Sequence, residues 1–247
     1  MDAGDHRRAG RPGAEGGVYA ARSLRRSVRL GSALSGTVAA AFGQAARVWH
    51  ERPFLYVTAE TAQHYGIAAG TLAYGEAAAA VEAIVERYAA AGYGVGHRIG
   101  LMLENRPAIF LHWLGLNRLG TSVVPLHPDL RQAELAHLMR HSGICLAIGA
   151  TEHAPKLREV HGECSVITDN APVPRAPALP RQAAPGPSTE CALLYTSGTS
   201  GKPKGCVLSN DYFLRCGRWY TEIGGLCTLR PGEDRLITPL PMTHMNA

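Results

Sequence analysis

The chain has 247 residues, 46% of them hydrophobic, so it can bury a substantial core in one large domain or two smaller ones. Its formal net charge of +5 is concentrated in residues 1–35, where seven Arg face three acidic residues, leaving +1 for the other 212 residues. This remainder has no cluster of Lys and Arg, which argues against nucleic-acid binding, and no apolar run approaches the roughly 20 residues needed for a membrane span.

The N-terminal segment and the cysteines bear on where the protein resides. Residues 1–34 are rich in Arg, Gly and Ala and predict a disordered basic extension. An organelle-targeting presequence is the alternative, because "ARSLRRSVRL" is rich in Arg and contains Ser, although three acidic residues lie nearby. The six cysteines are ten or more positions apart and form no CxxC pair, which is typical of free thiols in a reducing compartment. We therefore expect a cytoplasmic protein.

The first elements are a helix, two short strands and a long helix. Apolar residues recur at helical spacing over 38–49, with Ser35 or Thr37 as candidate N-cap. "FLYVT" (54–58) and "TLAY" (71–74) have the composition of strands. The stretch "GEAAAAVEAIVERYAAAGYG" then predicts a helix that glycines terminate. Its apolar stripe consists of Val81, Ile84, Val85 and Tyr88.

Strands and helices then alternate. Strands are predicted at 99–104, 121–126 and 144–150, and helices at 107–119 and 131–139. Pro107 suits the first turn of its helix. His112, His137 and His141 fall on these helices and are interpreted as core or surface histidines, and Trp113 as core. Because such alternation is typical of βαβ units, the predicted fold class is α/β, with layered, mostly parallel sheets flanked by helices.

A proline-rich stretch divides the chain. Residues 171–190 contain six prolines, a density that no helix or central strand tolerates. This connector separates an α/β block, residues 35–170, from a shorter block, residues 191–247. The second block opens with the strand-like run "CALLYTS".

The run "YTSGTSGKPKG" (195–205) predicts a phosphate-binding loop. Its glycines let successive amide N–H groups converge on an anion, and its hydroxyl and ammonium groups donate to phosphate oxygens. A flexible Gly/Ser linker is the alternative, but a linker seldom follows an apolar strand directly or contains KPK. Lys202 is followed by Pro203, which excludes a Walker A loop, and GxGxxG is absent. The candidate residues are Thr196, Ser197, Gly198, Thr199, Ser200, Gly201, Lys202, Lys204 and Gly205.

This run resembles the phosphate signature of the adenylate-forming (AMP-binding) superfamily, which includes acyl-CoA synthetases, luciferases and peptide-synthetase adenylation domains. The family form is close to TSGTTGxPKG, and only Ser200 departs from it, keeping the hydroxyl. Three stretches resemble other family segments in the family's order: "TLAYGEAAAAVEAIVERYAAAGYGVGHRIGLMLENRP", "LGLNRLGTSVVPLHPDLRQAELAHLMRHSG" and "PLPMTHMNA". The resemblance spans residues 35–247 and only the N-terminal portion of such enzymes. No stretch matches the family's adenine-pocket motif, Mg²⁺-handling acid, ribose-binding aspartate, hinge or C-terminal lysine domain.

The resemblance implies ATP-dependent activation of a small carboxylic acid to an acyl-adenylate, followed by thioester formation with coenzyme A, as in acyl-CoA synthetases of fatty acid metabolism. ATP, Mg²⁺ and coenzyme A are the implied cofactors. His244 matches the position that lines the acyl pocket, unless it is an ordinary loop histidine. No acidic residue lies within 242–247, which favours an acid without an α-amino group. The implied substrate-binding residues are His244, Met245 and Asn246.

Other functions stay open at this point. An adenylation domain that loads a carrier protein and a non-catalytic nucleotide- or acyl-binding relative are the two alternatives. A P-loop hydrolase is disfavoured by Pro203 and by the missing Walker B context. No catalytic residue, metal ligand or oligomeric state is assigned, and we expect the 247-residue chain alone to lack ligase activity.

Overall fold

The computed structural model describes residues 36–160, 164–180, 182–196, 203–238 and 240–243. The predicted elements between residues 38 and 150 are confirmed, with boundaries shifted by at most three residues, whereas α2, α6, β6, β8 and α7 are not among the predicted elements. The extension 1–34 lies outside the described residues. In chain order the elements are α1 (Val38–Val48), β1 (Pro53–Val57), α2 (Ala59–Tyr65), β2 (Gly70–Ala73), α3 (Tyr74–Ala90), β3 (Arg98–Met102), α4 (Pro107–Arg118), β4 (Ser122–Pro125), α5 (Gln132–Ser142), β5 (Leu146–Gly149), α6 (Ala154–Val160), β6 (Ser165–Thr168), β7 (Glu190–Thr196), β8 (Lys204–Ser209), α7 (Asn210–Glu222) and a 3-10 helix (Gly225–Cys227).

Six strands form one sheet in the order β6-β5-β3-β4-β7-β8. The strands β3 to β7 run parallel, and β8 pairs antiparallel with β7 at the edge. β1 and β2 form a separate antiparallel pair. This mostly parallel arrangement confirms the predicted α/β class. Since β4 pairs with β7 at Val123 and Ala192, the two sides of the proline-rich stretch share one sheet.

Helices cover both faces of the six-stranded sheet. On one face, Ile84 and Tyr88 of α3 and Ile109 of α4 pack with alternate side chains of β3, β4 and β5. On the other face, Leu135 of α5 and Leu157 of α6 pack with the intervening side chains of the same strands. Strands buried on both faces are uniformly apolar, which explains the continuous runs "IGLM" and "LAIG".

The proline-rich stretch packs against the domain. No helix or strand occurs in its described residues 171–180 and 182–189, as its proline content predicts. Ala176 N–H donates to the Ala91 carbonyl over 2.8 Å, and Arg87 Nη2 donates to the Ala171 carbonyl over 2.7 Å. His97 Nε2 lies 2.9 Å from the Pro177 carbonyl oxygen. These contacts hold the stretch along the C-terminal end of α3.

Two buried asparagines cap α1 from distant parts of the chain. The first N–H groups of a helix have no partner within the helix. Asn210 Oδ1 accepts the Val38 N–H over 3.0 Å, and Asn117 Oδ1 accepts the Ala39 N–H over 2.9 Å. Thr37, the predicted N-cap, accepts the Ala40 N–H through Oγ1. α1 is thereby fixed against α4 and α7.

Candidate phosphate loop and apolar cavity

The β7–β8 hairpin supports the predicted phosphate loop. Thr196 is the last residue of β7, Lys204 is the first of β8, and the two are register partners. The strands therefore bring both ends of the intervening loop together at the carboxyl edge of the parallel sheet. Of the candidate residues, Ser197, Gly198, Thr199, Ser200, Gly201 and Lys202 lie outside the described residues.

Lys204 presents an available positive charge beside this loop. It is exposed, whereas Thr196 is half-buried. Among the described residues, no carboxylate forms an ion pair with Lys204. The chain has only three lysines, Lys156, Lys202 and Lys204. Two of the three thus belong to the predicted loop.

Gly205 is closely packed at the base of the loop. It lies in β8 opposite Tyr195 and does not have a positive φ, so the left-handed freedom expected of the loop glycines is not what selects glycine here. A Cβ at this position would lie 3.0 Å from Leu193 Cδ1 and 3.3 Å from Tyr195 Cζ. The Tyr195 hydroxyl lies 2.7 Å from His141 Nδ1, and burial raises the tyrosine's pKa. The hairpin is therefore braced against α5.

A charged cluster follows the carboxyl ends of β3 and β5, where the winding of the sheet changes direction. Glu104 Oε2 lies 2.7 Å from His153 Nε2, and Arg106 pairs with both Glu104 and Glu152. Ligand atoms of Glu104, Glu152 and His153 lie within 4.8 Å of one another. Because the buried Arg106 guanidinium already pairs with both carboxylates, we assign no metal to this cluster.

An apolar cavity of about 480 Å³ opens beside the segment that leads to His244. Cys191 lines it, and burial raises the pKa of its thiol to about 11, so this cysteine is an unreactive wall residue. Trp113, interpreted above as core, also lines it and is only partly buried. His244, Met245 and Asn246 lie outside the described residues. The cavity residues are Val38, Ala41, Phe42, Ala45, Phe54, Tyr74, Phe110, Trp113, Leu114, Cys191, Leu194, Phe213 and Met242.

A family model described as AMP-binding enzyme matches residues 42–247. The chain belongs to this family. The match confirms the resemblance found in the sequence, and it spans both sides of the proline-rich stretch. Within the described part of this member of the AMP-binding family, no helix combines the length and hydrophobicity needed to cross a membrane.

Two CoA ligases are similar to this AMP-binding family member. Crotonobetaine/carnitine–CoA ligase of Citrobacter koseri is 30% identical over 178 residues, which cover 64% of the chain and 34% of that ligase. Sulfoacetate–CoA ligase of Cupriavidus necator is 29% identical over 221 residues, which cover 85% of the chain and 41% of that ligase. The chain thus spans about a third to two fifths of the length of these relatives.

Solved structures show the same fold. The structure of VinN with 3-methylaspartate superposes with a TM-score of 0.61 at 20% sequence identity, over 76% of this chain and 51% of VinN. This likeness shows the architecture of the sheet and helices.

Proposed function

We propose that this protein binds ATP through the loop between β7 and β8 and takes part in activating a small carboxylic acid as its acyl-adenylate. The observation that carries this proposal is the pairing of Thr196 with Lys204, which brings the two residues that flank the Gly- and hydroxyl-rich segment together at the carboxyl edge of the sheet. In open α/β sheets this edge is where ligands bind. Membership of the AMP-binding family supports the use of ATP.

The chemistry explains why such a loop is needed. A carboxylate oxygen of the acid attacks the α-phosphorus of ATP, and the bond to the bridging oxygen breaks to release pyrophosphate. Both reactants are anionic, so donors must hold the β- and γ-phosphates and stabilise the leaving group. Lys204 supplies one such charge, and Thr196 supplies a hydroxyl. Mg²⁺ adds further positive charge when bound to the triphosphate, and we assign no described residue to it.

We propose an acid that lacks an α-ammonium group. A site for an α-amino acid needs a carboxylate near the substrate, and residues 242–247 contain none. The cavity that Met242 lines is also almost wholly apolar, with six aromatic rings among its walls. An apolar tail, aliphatic or aryl, suits such walls.

For the second step, we propose transfer of the acyl group to the thiol of coenzyme A. The thiol sulfur attacks the acyl carbonyl and AMP leaves. The similarity to two CoA ligases supports this acceptor over a carrier-protein thiol. The two acceptors can be distinguished with the native gene product, ATP and the acid. Either coenzyme A or a pantetheinylated carrier protein is added, and mass spectrometry shows which of them becomes the thioester.

The phosphate-loop proposal is tested by lysine footprinting, since the chain has only three lysines. Saturating MgATP is expected to slow acylation of Lys202 and Lys204 by an amine-reactive reagent. Lys156, whose ammonium group donates to the Pro128 carbonyl and which is not part of the predicted loop, is the internal control. Peptide mass spectrometry reads all three sites in one sample.

Affinity measurements complete the test. A charged contact with phosphate contributes about 1.5–3 kcal/mol, so Lys204→Ala is expected to weaken MgATP binding about 10- to 100-fold by calorimetry. Lys156→Ala is the matched variant and should bind as the wild type does. Equal affinity of all three proteins, with no protection of Lys204, would refute the phosphate-loop proposal.

A further inference from the structure

Asn105 holds the backbone of the segment that precedes His244. Its Nδ2 donates to the Leu240 carbonyl over 2.9 Å, and its Oδ1 accepts the Met242 N–H over 2.8 Å. One carboxamide thus satisfies an acceptor and a donor of the same short segment, 135 and 137 residues away in the chain. A two-point contact fixes both the position and the direction of this backbone.

The residues on either side of Asn105 are themselves immobilised. Glu104 has a φ of 53°, a left-handed conformation that costs a non-glycine residue about 1–2 kcal/mol, and it is held by His153. Arg106 is buried, pairs with Glu152 and lies over the ring of Tyr65 at 4.6 Å. Asn105 therefore projects from a rigid support at the carboxyl end of β3.

The other end of the contact is anchored as well. The Met242 side chain packs against the core cluster on the α3–α4 face and lines the apolar cavity. Only Thr243 separates Met242 from His244. The Asn105 carboxamide thus holds the backbone of a residue that lines the apolar cavity.

We propose that Asn105 is a positioning residue for acid binding: it fixes the backbone of residues 240–242 and thereby the place of Met242 in the wall of the apolar cavity. This inference rests on the proposed function. Asn105 itself does not touch the reacting atoms. Substitution of Asn105 is expected to weaken binding of the acid. Binding of ATP by the phosphate loop, which β7 and β8 flank, is expected to stay unchanged.

The first test measures the contact itself by hydrogen exchange with fragment-level resolution. In Asn105→Ala the Met242 amide loses its acceptor, and its exchange is expected to accelerate about tenfold or more, since local opening there no longer breaks a hydrogen bond. Asn105→Asp keeps an acceptor oxygen and should restore most of the protection. Asn170→Ala, at an exposed asparagine, is the matched control and should leave Met242 unchanged.

The second test uses steady-state kinetics of acid-dependent exchange of pyrophosphate into ATP by the native gene product, with butyrate, octanoate and benzoate as probe acids. Asn105→Ala is expected to raise KM for the accepted acid about tenfold with KM for ATP unchanged, and Asn105→Asp to recover part of the loss. A merely structural role would move both KM values, or neither.

Each result decides a separate point. Unchanged exchange at Met242 in Asn105→Ala would overturn the contact. Faster exchange with an unaltered KM for the acid would overturn the positioning role. If the wild-type protein activates none of the acids and binds no MgATP, the proposed function fails and the positioning role fails with it, whereas an active wild type assigns failure to the Asn105 inference alone.

Discussion

The capping of α1 by Asn210 and Asn117 gives the sharpest prediction about stability. Asn210 is fully buried and uses all of its hydrogen-bonding capacity. Its Oδ1 accepts from Val38 N–H and from Asn117 Nδ2, and its Nδ2 donates to the Gly186 and Thr189 carbonyls. Asn210→Ala removes all four interactions at once.

The cost follows from which partners are left unpaired. The Gly186 and Thr189 carbonyls each keep a backbone donor, and Asn117 Nδ2 keeps the Cys191 sulfur at 3.2 Å. The Val38 N–H, whose hydrogen bond is partly buried, is left without an acceptor in the protein, and an orphan donor costs about 1–3 kcal/mol when it is buried. Including the weaker bonds, we expect Asn210→Ala to lower the free energy of unfolding by about 2–3 kcal/mol, a large part of the roughly 5–15 kcal/mol of a typical domain.

Urea denaturation followed by far-ultraviolet circular dichroism measures this loss. Asn170→Ala is the control, because Asn170 is exposed and its side chain makes no hydrogen bond with a described residue; it should change stability by less than about 0.5 kcal/mol. Asn117→Ala should cost a similar amount to Asn210→Ala. Since the two carboxamides share a 2.8 Å hydrogen bond, the double variant should lose about 1 kcal/mol less than the sum.

The capping argument would be wrong if Asn210→Ala were as stable as Asn170→Ala, or if the effects of the two capping asparagines were simply additive. The first result would mean that water replaces Asn210 as the acceptor of the Val38 N–H with no loss in the free energy of unfolding. The second would mean that Asn117 and Asn210 act independently on α1.

Three further predictions concern the core, the sheet and the surface. Burial lowers the pKa of His112 to about 4, so below about pH 6.5 the unfolded chain binds a proton that the native chain does not. The free energy of unfolding should therefore fall by about 2 kcal/mol between pH 7 and pH 5. Urea titrations at the two pH values should show that His112→Phe abolishes this loss. Glu190 of β7 accepts from Arg98 Nε and Nη2 of β3, each over 2.8 Å. Glu190→Gln should therefore lower the free energy of unfolding by about 1–2 kcal/mol, and a change below about 0.5 kcal/mol would contradict a stabilising ion pair between these two strands. Leu236 and Ile237 are 85% and 91% exposed, so replacing both with Ser should reduce self-association in light scattering without changing thermal stability, and unchanged association would show that other surfaces drive it.

Local sequence patterns determined the order of elements and the family. Strand composition, helical periodicity and Pro107 are properties of short windows, and the phosphate signature is eleven contiguous residues. The short helix α2 could also have been found, since Thr58 caps its first turn and Gly66 ends it in a left-handed conformation. It was not predicted because seven residues are too few to show a clear helical periodicity, and periodicity was the signal used for the other helices.

Only the tertiary structure decided which polar side chains serve as anchors. Asn105, Asn117 and Asn210 stand in ordinary sequence surroundings, yet each bonds to groups more than 70 residues away. The same holds for the apolar cavity, whose walls come from α1, β1, α3, α4, β7, α7 and Met242. The physical reason is that periodicity indicates only which face of a helix or strand is apolar. The hydrogen-bond partner of a buried amide depends instead on how separate elements pack together, and no single short window of the sequence determines that packing.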